Sequence, residues 1–164
     1  EIKRLKTYKK FNSRFVAVTV NPSDEFIKSV VLENFDYIQL HGSETKERVN
    51  EIKSTGLKII KSIKIREEKD INDYKKYINA DIILFDTPGM EKSIEFPKDL
   101  ISKLPKGERY ALAGSISENN IENIMNLGVT FCDLSSNLET IDEIGYKDHQ
   151  KIKKFIKKLN EIKN

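Results

Sequence analysis

Asp86 is the residue of this sequence that is best placed for acid–base chemistry. It ends an apolar run, Ile82-Ile83-Leu84-Phe85, and the turn Thr87-Pro88-Gly89 follows it directly. Desolvation at the apolar end of a strand favours the protonated form of a carboxyl group, which suits a general acid. An aspartate in this position can equally cap a helix or stabilise the turn through its own side chain. The local sequence leaves both interpretations open.

Two clusters of small and polar residues follow the last two apolar runs. The first is Ala113-Gly114-Ser115 and the second is Ser135-Ser136-Asn137. Small residues let the backbone approach an anion closely, and backbone N–H groups at the beginning of a helix bind phosphate. Each cluster alone is typical of an ordinary turn. As a pair after consecutive strands, they predict a phosphate site.

The remaining reactive side chains are two histidines and one cysteine. His41 follows the run Tyr37–Leu40 and could be a substrate hydrogen-bond partner, a base or a helix-capping residue. Cys132 lies beside Phe131 within an apolar run, where a cysteine is more often a small buried side chain than a nucleophile. His149 is expected on the surface. These residues offer no convincing spacing of metal ligands, so we expect no metal site.

The segment after His41 is predicted to begin a helix. Ser43 is its expected N-cap, and Glu44 and Glu47 fall where the helix dipole favours negative charge. The last helix is expected to include residues 147–158, with Ile152, Phe155, Ile156 and Leu159 towards the core and lysines outward.

The elements that must position these residues alternate between apolar runs and segments of helical periodicity. Short, nearly continuous apolar strands separated by helices indicate a parallel sheet that is covered on both faces. The connections are expected to be right-handed. The six predicted strands are Phe15–Val20, Tyr37–Leu40, Leu57–Ile65, Asp81–Asp86, Tyr110–Gly114 and Phe131–Ser136.

Such a pattern is compatible with an open doubly wound sheet or with a barrel. No Gly-x-Gly-x-x-Gly motif follows any of the strands, which removes the main signal for a dinucleotide site. Polar or small residues end nearly every strand, and in a barrel all these ends converge at one opening. We therefore predict an α/β fold of the (β/α)8 TIM-barrel type, as a single domain over residues 1–164 with six β/α units visible.

The charge of the chain does not indicate a nucleic-acid or membrane partner. Its 29 basic and 26 acidic residues are interleaved along helical segments, as on solvated helix faces. No window resembles a membrane span and no secretory signal is visible. A single cysteine excludes an intrachain disulfide and fits a reducing compartment, so we predict a cytoplasmic protein.

Seven segments, in order along the chain, resemble the phosphoribosylanthranilate isomerase family. The most specific are a Gln-Leu-His-Gly pattern at residues 39–42 and an Asp-x-Ser-Ser pattern at residues 133–136. The others resemble the family's third, fifth, sixth and seventh strands and its Gly-x-Lys-Asp turn; they are Val16–Ser23, Ile60–Ile63, Leu84–Asp86, Leu112–Gly114 and Gly145–Asp148.

This resemblance implies an Amadori rearrangement of N-(5-phosphoribosyl)anthranilate in tryptophan biosynthesis, without a cofactor or metal. It implies that Asp86 is the general acid, with phosphate and substrate contacts from His41, Gly114, Ser115, Asp133, Ser135, Ser136 and Asn137. The family's base is a cysteine in a Lys-Ile-Cys-Gly segment of the first strand. Since the chain aligns from the third strand onward and is shorter than the roughly 200 residues of a complete barrel, two β/α units are expected upstream of Glu1.

Two alternatives remain at this point. The chain could be another phosphosugar-binding barrel enzyme, such as an epimerase, or a non-catalytic relative that only binds a phosphorylated ligand. A phosphosugar is the expected partner in each case, and the protein is expected to be a monomer or a homodimer.

Overall fold

The computed structural model describes residues 13–87, 98–114, 116–129, 131–141, 143 and 145–163. The strands are β1 Val16–Thr19, β2 Tyr37–Leu40, β3 Lys58–Lys64, β4 Ile82–Asp86, β5 Tyr110–Ala113 and β6 Cys132–Asp133. The α-helices are α1 Asp24–Phe26, α2 Leu32–Asn34, α3 Lys46–Ser54, α4 Glu68–Ile71, α5 Lys98–Ser102, α6 Ile121–Asn126 and α7 His149–Lys163. A π-helical turn, Ile27–Val31, joins α1 to α2, and 3₁₀ turns span Asn72–Tyr77 and Ser136–Leu138.

The strands form a single sheet in the order β1-β2-β3-β4-β5-β6. The pairs β1/β2, β2/β3 and β5/β6 are parallel. All six predicted strands are therefore confirmed, with ends that differ by at most three residues from the prediction. Adjacent parallel strands with intervening helices are the arrangement that the apolar runs predicted.

Contacts between Cα atoms divide the chain into two compact units. Unit 1 is the chain up to Ile63 together with Asn72–Ile83, and unit 2 is Lys64–Ile71 together with the chain from Leu84 onward. The core of unit 1 is built from β-branched and leucine side chains of the strands and their helices. Its fully buried residues include Val31, Ile38, Leu40, Ile52 and Ile59.

Unit 2 has its own core, which includes Leu84, Leu112, Ile121 and Ile124. The rings of Phe85 and Tyr110 stack with centroids 6.0 Å apart. This packing fixes the end of β4 beside β5, and β4 carries Asp86 at its last position.

The C-terminal helix α7 buries a narrower face than the sequence predicted. Phe155 is buried, but Ile156 is 50% exposed, which corrects the expectation that it faces the core. Neighbouring residues of an α-helix point about 100° apart, so both cannot face one narrow core. Lys158 pairs with Glu122 of α6 at 2.8 Å. In the described part of the chain, no helix combines the length and the apolar character that crossing a membrane requires.

Candidate active site

Asp86 is the last residue of β4 and its side chain is half-buried. The backbone carbonyl of Asp86 accepts a hydrogen bond from the Ile65 N–H at 2.9 Å. Thr87, the next residue, donates from its N–H to the carbonyl of Ala113 at 3.2 Å and from its hydroxyl to the same oxygen at 3.0 Å. The backbone of the predicted acid therefore lies directly beside the end of β5.

Gly114 follows β5 and makes a close contact that no other residue could make without a shift of the backbone. Its φ is +93°, and a Cβ atom there would lie 2.2 Å from the carbonyl oxygen of Thr87. The first predicted phosphate cluster thus packs against the residue that follows the predicted acid. Ser115, the other member predicted from this cluster, lies outside the described residues.

The second phosphate cluster follows β6 and is tied to the loop after β5. In the sheet register, Ala113 lies beside Asp133, which is exposed. The side-chain amide of Asn137 donates to the carbonyl of Ile116 at 2.8 Å. Since Asn137 belongs to the 3₁₀ turn Ser136–Leu138, this bond holds the two predicted phosphate loops together.

Lys147, the lysine of the Gly-x-Lys-Asp pattern, lies at the second cluster, although the sequence analysis did not predict it as a site residue. Lys147 donates to the carbonyl oxygen of Ser135 at 3.0 Å and to its hydroxyl at 3.3 Å, and it pairs with Glu139 at 2.7 Å. The hydrogen bonds from Lys147 and from the Gly145 N–H lower the pKa of Glu139. Among the described residues, the N–H groups of Ser135, Ser136 and Asn137 make no hydrogen bond.

In unit 1, His41 follows β2 and is half-buried. Its N–H donates to the carbonyl of Thr19 at 2.8 Å. Its ring Nδ1 lies 3.3 Å from Nε2 of Gln39, a buried residue of the same strand. His41 does not cap the following helix α3, because Thr45 is the N-cap.

The N-cap of α3 is Thr45, whose hydroxyl accepts from the Arg48 N–H at 3.2 Å. The predicted cap, Ser43, instead donates from its N–H to the Asn21 side chain at 3.0 Å. Glu44 lies before the helix and is engaged elsewhere, so of the two predicted acidic residues only Glu47 lies in the first turn.

Glu44 and Lys61 form an ion pair, 2.8 Å long, inside unit 1. Lys61 also donates to the carbonyls of Leu40 and Gly42, at 3.2 and 2.9 Å. The other carboxylate oxygen of Glu44 accepts from the N–H groups of Asn21 and Gly42, at 2.8 and 3.1 Å. The sequence analysis missed this pair, although a lone lysine within the apolar strand at residues 59–63 was a visible signal.

Burial alone raises the pKa of the Glu44 carboxyl. The hydrogen bonds from Lys61 and from the Asn21 N–H outweigh that effect, so the pKa of Glu44 lies below its usual value. Tyr77 completes the surroundings of the pair: its hydroxyl donates to the Glu44 carbonyl at 3.1 Å, and its ring centroid lies 5.4 Å from Nζ of Lys61. Both side chains of the pair therefore have hydrogen-bond partners within unit 1.

Cys132 is half-buried in β6. Burial, assisted by the nearby charge of Asp133, raises the pKa of its thiol to about 11. The thiol is therefore protonated at neutral pH, which agrees with a structural role and does not suit a nucleophile. His149 is exposed at the start of α7, as predicted. Within the described ranges, no group of three or more His, Cys, Asp or Glu side chains could hold a metal ion.

These features define a class of protein. Parallel strands alternate with helices, and a carboxyl residue lies beside small-residue loops at the carboxyl ends of neighbouring strands. This is the arrangement of an α/β-barrel enzyme, which binds its substrate at that end of the strands.

Comparison with known proteins identifies the family. A family model described as N-(5'phosphoribosyl)anthranilate (PRA) isomerase matches residues 1–158. The N-(5'-phosphoribosyl)anthranilate isomerase of Petrotoga mobilis is 38% identical over 155 residues, which cover 90% of this chain and 72% of that relative. The chain belongs to the phosphoribosylanthranilate isomerase family and is an isomerase of tryptophan biosynthesis.

Solved structures agree with this assignment. A phosphoribosylanthranilate isomerase in complex with reduced 1-(o-carboxyphenylamino)-1-deoxyribulose 5-phosphate is 25% identical, with a TM-score of 0.77 over 98% of this chain and 78% of that one. A structure of monomers generated from the dimeric phosphoribosylanthranilate isomerase of Thermotoga maritima is 25% identical with a TM-score of 0.74, and the match covers 98% of this chain and 79% of that one. The predicted TIM-barrel class is confirmed.

Proposed function

We propose that this chain takes part in the Amadori rearrangement of N-(5-phosphoribosyl)anthranilate with Asp86 as the general acid. The observation that carries the proposal is the contact between the end of β4 and the end of β5. Thr87 donates two hydrogen bonds to the carbonyl of Ala113, and Gly114 packs against Thr87. The proposed acid and the proposed phosphate loop would thereby lie at adjacent positions at the carboxyl ends of parallel strands, where barrel enzymes bind substrates.

The chemical step requires one proton donor and one proton acceptor. Asp86 donates a proton to the ring oxygen of the ribose, the C1–O bond breaks, and the lone pair of the anthranilate nitrogen forms a protonated Schiff base. Removal of the C2 proton by a base gives the enolamine, which tautomerises to the ketose product. The nitrogen of the substrate accepts the electron pair, so the reaction has no need of a cofactor.

The phosphate group is proposed to bind at the loops after β5 and β6. Two observations support this assignment. The N–H groups of Ser135, Ser136 and Asn137 make no hydrogen bond among the described residues, and Gly114, as a glycine, lets the backbone approach an anion closely. The bond between Asn137 and Ile116 supports a shared role of the two loops. Ser115 retains its predicted place among the phosphate ligands.

Asp133 and His41 are proposed as further substrate contacts. Asp133 is exposed at the end of β6, next to the proposed phosphate loop. His41 lies at the end of β2, and its imidazole is held on one side by Gln39. Cys132 is not proposed as the base, because only the thiolate accepts a proton and a thiol with a pKa of about 11 is seldom ionised at neutral pH.

Replacement of Asp86 by Asn tests the proposal. Turnover of phosphoribosylanthranilate should fall by about 10²–10⁴-fold, the usual contribution of a general acid. Binding of the reduced product analogue named above should change little, because the amide keeps the size of the side chain. The control for the loss of one negative charge is Asp99→Asn, at an exposed position of α5.

Three results would decide between the candidate functions. Unimpaired turnover in the Asp86→Asn chain would remove Asp86 from the mechanism. Binding of the analogue without any turnover, in a chain that carries the first-strand Lys-Ile-Cys-Gly segment, would favour a relative that only binds a phosphorylated ligand. Failure of the unchanged chain to bind the analogue at all would reject the substrate assignment.

We infer a cytoplasmic location and a monomeric or homodimeric state. The free cysteine supports a reducing compartment, and the dimeric description of the Thermotoga maritima enzyme supports a test for dimers. Light scattering coupled to size-exclusion chromatography would distinguish the two states, and fractionation of the source cells would test the location.

A further inference from the structure

The ion pair between Lys61 and Glu44 is buried more completely than stability alone explains. The exposed fractions of the two side chains are 3% and 1%. Removing both charges from water is costly, and apolar residues of similar volume often stabilise a protein equally well or better. We therefore expect the pair to have a second role, which is to hold neighbouring backbone groups in place.

The pair holds the peptide groups on both sides of His41. In the peptide that precedes His41, the carbonyl of Leu40 accepts from Lys61 and the N–H of His41 donates to Thr19. In the peptide that follows, the N–H of Gly42 donates to Glu44. Because both flanking peptide planes are fixed, the backbone torsions of His41 are fixed as well.

The pair acts from the opposite face of the sheet to the histidine ring. Successive side chains of a strand alternate between its two faces. Lys61 is in register with Leu40, whereas Gln39, the neighbour of the His41 ring, points to the other face. The pair therefore supports the position of the ring through the backbone and not through contact with the ring.

The loop after β1 is locked to the same pair. The N–H of Asn21 donates to Glu44, and the side chain of Asn21 accepts from Ser43. Asn21 has a left-handed backbone with φ of +47°, and a Cβ atom on Gly42 would lie 2.6 Å from its side-chain oxygen. The close fit of Gly42 against Asn21 leaves the loop after β2 little freedom to move.

We propose that Lys61 and Glu44 are positioning residues that preorganise His41 for its contact with the substrate. The inference rests on the proposed function only in assigning that contact to His41. Preorganisation of this kind lowers the entropy that binding would otherwise lose, and small displacements of a binding group weaken binding strongly.

The double variant Glu44→Gln, Lys61→Met separates positioning from stability. It has no buried charge, and the glutamine carbonyl can still accept from Asn21 and Gly42, so the chain is expected to fold. It lacks the bonds from Lys61 to the carbonyls of Leu40 and Gly42. We expect amide hydrogen exchange at His41 and Gly42 to accelerate at least about tenfold, since local opening costs less free energy.

Ligand binding gives the second readout. The dissociation constant of the reduced product analogue is expected to rise about tenfold or more. The constant for inorganic phosphate is expected to stay within about twofold, because the proposed phosphate loops belong to unit 2 and lose no contact. A variant that was merely less stable would lose both ligands in proportion to its unfolded fraction.

The matched control is Lys53→Met, Asp81→Asn. This partly buried ion pair of unit 1 lies at the opposite ends of the strands, where Asp81 also accepts from the Ile59 N–H. The control should leave amide exchange at His41 and affinity for the analogue unchanged.

Unchanged exchange and unchanged analogue affinity in a folded Glu44→Gln, Lys61→Met chain would overturn the inference. If the unchanged chain does not bind the analogue, the proposed function fails, and the exchange experiment still decides whether the pair positions His41. Accelerated exchange with unaltered analogue affinity would show that the pair orders the loop without preorganising a substrate contact, and would also overturn the inference.

Discussion

The strand ends of the two units use their polar groups in opposite ways. In unit 1, a buried ion pair takes up the N–H and carbonyl groups of the loops after β1 and β2. In unit 2, the N–H groups of the loop after β6 have no partner among the described residues, and its serines are exposed. Among the described residues, a buried carboxylate thus engages the N–H groups of Asn21 and Gly42, whereas the N–H groups of Ser135, Ser136 and Asn137 have no such acceptor.

The largest expected difference between the two units is in the stability that is lost when one lysine of each unit is replaced. Lys61→Met leaves the Glu44 carboxylate buried without its counter-ion and should destabilise the chain by about 3–5 kcal/mol. Lys147→Met removes a partly exposed pair and should change stability little. Urea denaturation of both variants measures the difference, and equal midpoints would contradict it.

A smaller effect is expected from a methyl group at the strand ends of unit 2. Gly114→Ala places Cβ against the Thr87 carbonyl at a positive φ, and we expect a loss of about 3 kcal/mol or more together with weaker binding of inorganic phosphate. Gly56→Ala is the control, because its φ is +91° but no atom lies within 4 Å; it should cost about 1–2 kcal/mol. Similar losses in the two variants would mean that the close contact with Thr87 has no energetic importance.

The pH dependence of stability should separate the two regions further. The pKa of Glu44 in the folded chain is lowered from 4.5, so its contribution is complete above about pH 4.5 and is lost as the pH falls through the lower folded pKa. The Glu44→Gln, Lys61→Met chain should therefore lose less stability on acidification than the unchanged chain. Thermal melts between pH 3 and 7 test this expectation, and parallel curves would contradict it.

The acid response of unit 2 should differ in its sensitivity to salt. The pKa of Glu139 is also lowered, but its partner Lys147 is partly exposed. Salt screens exposed charges much more than buried ones. Added sodium chloride should therefore weaken the effect of Glu139→Gln on the melts while leaving that of the Glu44 variant nearly unchanged.

The smallest effect concerns a single thiol in unit 2. With a pKa of about 11, Cys132 should react with iodoacetamide at pH 8 on the order of a hundred times more slowly than a cysteine of ordinary pKa. The denatured chain, in which the thiol regains its ordinary pKa, is the control. Equal rates in both states would show that the folded chain does not protect the thiol.

Much of the fold could be predicted because the signals were local. Each strand is an apolar run that ends at a polar or small residue, and parallel pairing then places Asp86 beside Gly114 without further information. The residues at which each strand begins and ends were less predictable. Phe131, for example, reads as part of an apolar run but lies outside β6, and the alternation of polar and apolar residues gives no sign of where pairing stops.

The partner of a charged residue could not be predicted in the same way. Glu44 near a helix start suggested a dipole interaction, but its carboxylate is used by Lys61, 17 residues away in sequence. Spacing along the chain does not specify such a contact, because it depends on the register between β2 and β3. Likewise, Thr45 and not Ser43 caps α3, since Ser43 is engaged by Asn21.

The fit between Gly42 and Asn21 has a consequence for how this protein can change. A carboxylate oxygen of residue 44 serves two loops at once, and the space around residue 42 is already filled by Asn21. A substitution at any one of residues 21, 42, 44 and 61 alters the surroundings of the others. The effects of substitutions at these four positions are therefore expected to be coupled. Single replacements should destabilise the loops, whereas joint replacement of the four residues can preserve them.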